Sequence, residues 1–208
     1  MASVWLVLRA EGAARILRQA SDQDLACHVT GQGPARGRAV AQNDLRMNQQ
    51  QRIAFTGHCG LPSGTARLVD AAIRAELSGR AGSVTGLSCL ADGADQVFAR
   101  AVLDLGGRIE AVVPAARYRR GLPARARPEF DLLLARAGAV HRLRYPAPAT
   151  PVAHMAAGEF MLGLAGELWA VWDGRPARGY GGTADVVAHA RARDIPVLVI
   201  WPDGAHRD

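Results

Sequence analysis

From Arg52 onward the apolar positions follow two alternating rhythms. Short, nearly unbroken apolar runs predict strands at "RIAFTG" (52–57), "GSVTGLS" (82–88), "RIEAVVP" (108–114, closed by Pro114), "ELWAVWDG" (167–174) and "PVLVIWP" (196–202), with "AVHRLRY" (139–145) as a short further strand. Between them lie stretches with apolar residues three and four apart. Leu68, Ala71, Ala72, Ala75 and Leu77 place a helix over 63–80, capped by Ser63 or Thr65. Further helices are predicted over 91–106, with Asp92 near the N-cap and Gly106 at the end, and over 128–138, 151–166 and 183–194. Apolar strands alternating with helices pair in parallel and are buried on both faces. The pattern therefore predicts one Rossmann-like three-layer α/β domain with a mostly parallel sheet and right-handed crossovers.

Residues 1–50 break this rhythm. Gly, Pro, Gln and Asn interrupt them, and no period is sustained. A weak helix or strand is expected near Val4–Arg18, followed by a loosely ordered extension. Met47 precedes the first convincing strand and is an alternative start, from which a compact domain (51–208) would be made.

The 208 residues and 22.0 kDa fit one domain, and a hydrophobic content of 49% supplies a core. All 25 basic residues are Arg, and the formal charge is +6. The arginines are scattered, which argues against a nucleic-acid partner. The densest group (Arg117, Arg119, Arg120, Arg125, Arg127) reads either as a solvated loop or as an anion or nucleic-acid contact. Cys27, Cys59 and Cys89 are odd in number and lack a CxxC spacing. This argues against a disulfide framework and a structural zinc, and fits a reducing cytoplasm. No apolar run approaches the ~20 residues of a membrane span, so no membrane partner is expected.

In an open parallel sheet, ligands bind beyond the carboxyl ends of the strands, near the switch in strand order. Four loops are expected there: "TGHCGLPSG", "SCLADGAD", "PAARYRRGL" and "WDGRPARGYGGTAD". The glycines of "GYGGTAD" let backbone approach a ligand, and the helix that follows turns free N–H groups and its positive dipole end toward it. Gly57, His58, Gly181, Gly182 and Thr183 are the candidates for holding phosphate. Thr183 reads equally as a helix cap, and His58 equally as a loop histidine. Asp92 and Asp173 are the candidates for the sugar or base, with Gly86, Ser88, Gly93 and Gly174 as further ligand contacts; Asp92 and Asp95 also read as a metal contact or as caps. Trp172 and Tyr180 stack on a base or, for Trp172, pack in the core. Glu159 faces solvent or leans toward the site. Cys59 lacks an evident activating base, which speaks against a nucleophile.

Together "IAFTGHCGL" (53–61), "GLSCLADGADQVFARAVLDLGGRIEAVVP" (86–114), "EFDLLLARAG" (129–138) and "ELWAVWDGRPARGYGGTADVVAHARARDIPVLVIW" (167–201) resemble the SLOG superfamily, most nearly its bacterial "TGHR" branch. This Rossmann-like group includes the LOG phosphoribohydrolases and the DprA proteins. The resemblance covers nearly all of 52–202. It implies a single domain binding a nucleotide or nucleotide-derived ligand at the rim, as a sensor. The rival readings are a LOG-like nucleoside-phosphate N-glycosidase and a DprA-like DNA-processing protein. Homodimers are common for such domains, which keeps a homodimer open. Gly182-Thr183 align with the G-T of the LOG pattern P-G-G-x-G-T-x-x-E, but its catalytic Glu falls on Val186, and the "TGHR" Arg is replaced by Cys59. A hydrolase would have to use Asp173 or Asp185 as its carboxylate, while Arg117, Arg119 or Arg175 could replace the missing Arg. No cofactor is expected beyond the nucleotide itself, and the sequence is silent on a divalent metal.

Overall fold

A computed structural model describes residues 52–80, 82–145 and 149–207. The expectations for residues 1–50, Met47 and Cys27 lie outside the described residues. Strands and helices alternate through one α/β domain: β1 (Arg52–Gly57), α1 (Ser63–Ser78), β2 (Thr85–Ser88), α2 (Ala94–Asp104), β3 (Arg108–Ala115), α3 (Tyr118–Gly121), a 3-10 turn (Ala124–Ala126), α4 (Arg127–Arg136), β4 (Ala139–Tyr145), α5 (Pro151–Leu164), β5 (Glu167–Val171), α6 (Thr183–Ala192) and β6 (Val197–Ile200).

The sheet order is β4-β3-β2-β1-β5-β6, and every pairing is parallel. The chain walks outward from β1 to β4, then crosses to the other side of β1 to place β5 and β6. The switch point is therefore the gap beyond the ends of β1 and β5, where Gly57 pairs with Val171.

Two apolar layers sandwich the sheet. On one face Val69, Ile73 and Leu77 of α1, Phe98 and Val102 of α2 and Phe130 and Leu133 of α4 cover Ile53, Phe55 and Trp169. On the other, Met155 and Met161 of α5 and Val186, Val187 and Ala190 of α6 cover Ala54, Leu87, Leu168 and Ala170. Phe55 and Phe98 stack with ring centroids 4.2 Å apart. That stack explains Gly86: a Cβ there would fall 2.6 Å from the Phe98 ring. Gly86 is thus a packing glycine of the core and not a ligand contact.

Pro114 does not close β3. The strand runs on to Ala115, with a register shift against β4 between Val113 and Ala115. The pairing with β2 ends at Ser88–Ala111, so the missing N–H of Pro114 costs no bond on that side. Helix α2 starts at Ala94, not near 91, because the preceding turn holds Leu90 and Gly93 at φ 56° and 97°. Asp92 makes no cap and instead meets Arg125, Nη2 to Oδ2 2.7 Å.

Candidate functional site

A cleft of about 460 Å³ opens at the switch point. Its floor is the end of β1 and the start of the next loop, Phe55–Gly60. One wall is Trp172, Arg175, Ala177–Gly179 and Gly181–Ala184 after β5; the other is Cys89, Ala91, Asp95 and Tyr118. Helix α5 adds His154, Gly158 and Met161, and Arg207 enters from the C-terminal segment. Of the residues expected from sequence, Gly57, His58, Trp172, Gly181, Gly182 and Thr183 line the cleft.

The glycine loop is built by close approach. Gly181 sits at φ 79°, and a Cβ there would run into the carbonyl oxygen of Pro151 on α5. Gly182 is the N-cap of α6, with its carbonyl accepting from Asp185 N at 3.0 Å and Val186 N at 3.2 Å. Thr183 is 8% exposed and makes no cap hydrogen bond. Asp185 turns backward: its Oδ2 accepts from Gly181 N at 2.8 Å, and it does not line the cleft. The site expected for a catalytic Glu, Val186, packs on Gly158, where a Cβ would come within 2.8 Å of Cγ2. Helices α5 and α6 meet there through apolar contact.

Asp173 also lies behind the cleft wall. Its side chain is 7% exposed and collects donors: Arg207 Nε at 3.0 Å, Arg175 N at 3.1 Å and His58 Nε2 at 3.1 Å. The backbone N–H of Asp173 also lies 3.2 Å from His58 Nε2. A neutral ring cannot donate and accept through one nitrogen. Arg207 Nη1 stands 3.4 Å from Nδ1 and can only donate, so the consistent tautomer carries its proton on Nε2, aimed at the carboxylate. Burial lowers the pKa of His58, helped by Arg207 and Arg178 and opposed by Asp173, which keeps the ring neutral near pH 7. Burial pushes the Asp173 carboxyl up, but the Arg175 N–H, His58 and Arg207 outweigh it and leave its pKa below the ordinary value. Asp173 is therefore a buried anchor holding His58 and Arg207 to the wall.

Arg207 was not anticipated from sequence. It is delivered by a clasp: Thr65 Oγ1, fully buried on α1, donates to His206 O at 2.8 Å and accepts from His206 N at 3.0 Å. Trp201 stands edge-on to His58 at 5.4 Å between centroids. No periodic pattern marks residues 202–207, so only the fold reveals their role.

The second loop is a self-contained lock. Ser88 Oγ donates to Asp95 Oδ2 at 2.9 Å and accepts from Leu90 N at 2.9 Å, while Ala91 N reaches the same Asp95 oxygen at 3.3 Å. Ser88 is therefore structural. Gly93 is too: a Cβ there would lie 2.8 Å from His58 O and 3.0 Å from Gly60 N. Gly174, Asp92, Tyr180 and Glu159 do not line the cleft. Glu159 is exposed and lies 3.9 Å from His189 Nδ1. Trp172 does line it, with its indole N–H fixed on Arg175 O at 2.7 Å and Arg191 5.8 Å over its ring.

Asp95 lines the cleft but is buried, which raises its pKa to about 6 against the hydrogen bonds from Ser88, Ala91 and Cys89. Burial and then Asp95 and Asp92 push the Cys59 thiol up to about 12. Because Cys59 is exposed at the surface, the carboxylates are the firmer cause, and the direction is the same. Cys89 is raised as well, chiefly by burial and then by Asp95 and Cys59. Neither thiol is activated. Of the clustered arginines, Arg119 is held bidentately by Asp131, Arg125 by Asp92, and Arg127 by the carbonyls of Leu122 and Arg120. None of these lines the cleft; Arg175 does, with its side chain 76% exposed. Among the described residues, no three His, Cys, Asp or Glu side chains are grouped to hold a metal ion, and no helix is long and apolar enough to cross a membrane.

No protein-family model matches the chain, and no curated protein matches it. Solved structures match in fold. DNA processing protein A (DprA) from Streptococcus pneumoniae aligns at 18% identity over 76% of this chain and 53% of its own, with a TM-score of 0.53. DprA from Helicobacter pylori, solved for its single-stranded DNA binding mode, aligns at 12% identity over 77% and 70%, with a TM-score of 0.56. A molybdenum cofactor binding protein from Rippkaea orientalis aligns at 12% identity over 74% and 78%, with a TM-score of 0.49. The chain spans about half the length of the pneumococcal protein. At these identities the likeness is one of fold. The chain has the Rossmann-like fold of the DprA structures, the fold that its resemblance to the SLOG superfamily implies.

Proposed function

We propose that the cleft binds a nucleotide or nucleotide-derived ligand, phosphate toward Gly181–Thr183, and acts as a sensor rather than a catalyst. One observation carries this reading. The N-terminus of α6 opens through Gly182-Thr183 into a nucleotide-sized cleft that Arg175, Arg178 and Arg207 also line. A helix start, glycine backbone and guanidinium groups are together suited to a phosphate. The volume lies within the ~300–1,000 Å³ of ordinary small-molecule sites.

Turnover has weaker support. A glycosidic hydrolysis needs a carboxylate facing the scissile bond. Asp173 and Asp185 are both turned away from the cleft into internal hydrogen bonds, and Asp95, which lines it, is buried and locked by Ser88 and Ala91. A screen of nucleoside mono- and diphosphates by thermal shift, with products followed by mass spectrometry, tests the reading. A raised melting temperature without free base is the expected result, and Arg175→Ala should weaken the shift while leaving the unliganded protein unchanged. Release of base and ribose phosphate would overturn the sensor reading in favour of the hydrolase. The scatter of arginines does not dispose of a nucleic-acid partner, since one fold neighbour is described by its single-stranded DNA binding. An oligonucleotide bound in place of nucleotides, with strong salt dependence, would favour that alternative.

A further inference from the structure

The two walls of the cleft differ in chemistry. The wall after β5 carries the α6 N-terminus and arginines. The wall after β2 and β3 carries Cys89, Ala91, Asp95 and Tyr118, faced by His154 of α5. Tyr118 stands out there. It is 3% exposed and lines the cleft, and its ring packs edge-on against Phe130 at 5.9 Å and His154 at 5.8 Å between centroids. Its hydroxyl is buried, and among the described residues no donor or acceptor meets it. Buried hydroxyls are almost always paired, and one left unpaired costs on the order of 1–3 kcal/mol. A side chain satisfied by packing alone would serve as well as Phe. The hydroxyl is thus an unspent donor and acceptor on a residue that lines a ligand-sized cleft.

Burial lowers the pKa of His154 and raises that of Cys89, so both are neutral near pH 7, and the charge on this wall is the carboxyl of Asp95, turned into its bonds with Ser88 and Ala91. The distance from the cationic wall is set by the sheet. Tyr118 follows β3 and Gly182-Thr183 follow β5, three strand positions away, or roughly 14 Å at the usual spacing. A ligand with its phosphate at the α6 N-terminus would meet Tyr118 through the part that extends across the cleft.

We propose that Tyr118 hydrogen-bonds the uncharged portion of the ligand, the base of a nucleotide, and so selects a nucleoside phosphate over phosphate or sugar phosphate alone. This rests on the reading of the cleft as a phosphate-holding site. The test is calorimetric titration of AMP, GMP, ribose 5-phosphate and inorganic phosphate into the wild type and Tyr118→Phe. About a tenfold loss of nucleotide affinity is expected in Tyr118→Phe, with phosphate and ribose 5-phosphate unchanged. Equal nucleotide affinity in both proteins, or an equal loss for all four probes, overturns the inference but leaves the cleft as a binding site. A wild type that binds none of the four overturns the underlying reading as well. The unliganded melting temperature gives a separate check. Removing a hydroxyl without a partner should leave it equal or higher, and a clear drop would show that the hydroxyl is already paired.

Discussion

Asp95 is the residue whose environment conflicts most with its chemistry. Its folded pKa of about 6 stands above the ordinary 3.8 because burial disfavours the charge. The folded chain therefore binds this proton more tightly than the unfolded chain. The resulting stabilisation is complete below about pH 4 and is lost as pH rises through about 6. A shift of this size is about 3 kcal/mol at most. Asp95→Asn cannot ionise, yet its Oδ1 can still accept from Ser88 and Ala91. Urea denaturation should show the variant gaining on the wild type from pH 5 to pH 8 by about half that amount, the rest having accrued between about pH 4 and 5; a difference flat with pH would refute the assignment. Asp173 is the opposite case. Asp173→Ala leaves His58 and Arg207 facing each other without their carboxylate, and a loss of about 3 kcal/mol is expected at pH 7 in the same measurement. Neither role is visible in sequence. "SCLADGAD" and "WDG" show carboxylates after strands, which marks them as near the rim, but whether each points into the cleft or into its own loop depends on backbone turns that no periodicity encodes.

At the scale of elements, the strands and long helices were legible because burial writes its period into the apolar pattern. The departures have physical causes. Pro114 reads as a terminator, yet it sits where β3 has already outrun β2. Helix α3 has four residues, too few for a period, so "RYRRG" looks like a polar loop and hides Tyr118. In sequence the glycine loop reads as a cradle, and its tight seat on α5 leaves no mark there. Gly181→Ala places a Cβ against the Pro151 carbonyl at φ 79°. A destabilisation of about 2–3 kcal/mol by thermal denaturation is expected. Gly179→Ala serves as the control, since open space surrounds that position; equal losses in the two would remove the argument.

For the whole molecule, the order of the sheet decides most of what the site can be. Placing β5 beside β1 brings together two loops more than a hundred residues apart, and the His58–Asp173 contact closes the seam between them. Alternation alone predicted a Rossmann-like domain, but not which strand flanks β1, and so not this pairing. The same order predicts a gradient of stability. The amides of Ala54, Phe55, Leu168 and Trp169 lie on the inner strands β1 and β5, beneath helices on both faces. In native-state hydrogen exchange these should open last, and β4 and β6, each paired on one side only among the described residues, first. Uniform protection across all six strands would contradict it.

The Thr65–His206 clasp carries a practical consequence. Arg207 reaches the cleft only because the preceding residue is gripped by α1. Thr65→Val, which keeps the shape of the side chain but cannot grip His206, would loosen a cleft cation and uncover the Asp173 carboxylate, with the sheet and its helices intact. One hydroxyl on the far side of the sheet's packing would thus set the charge that the cleft presents.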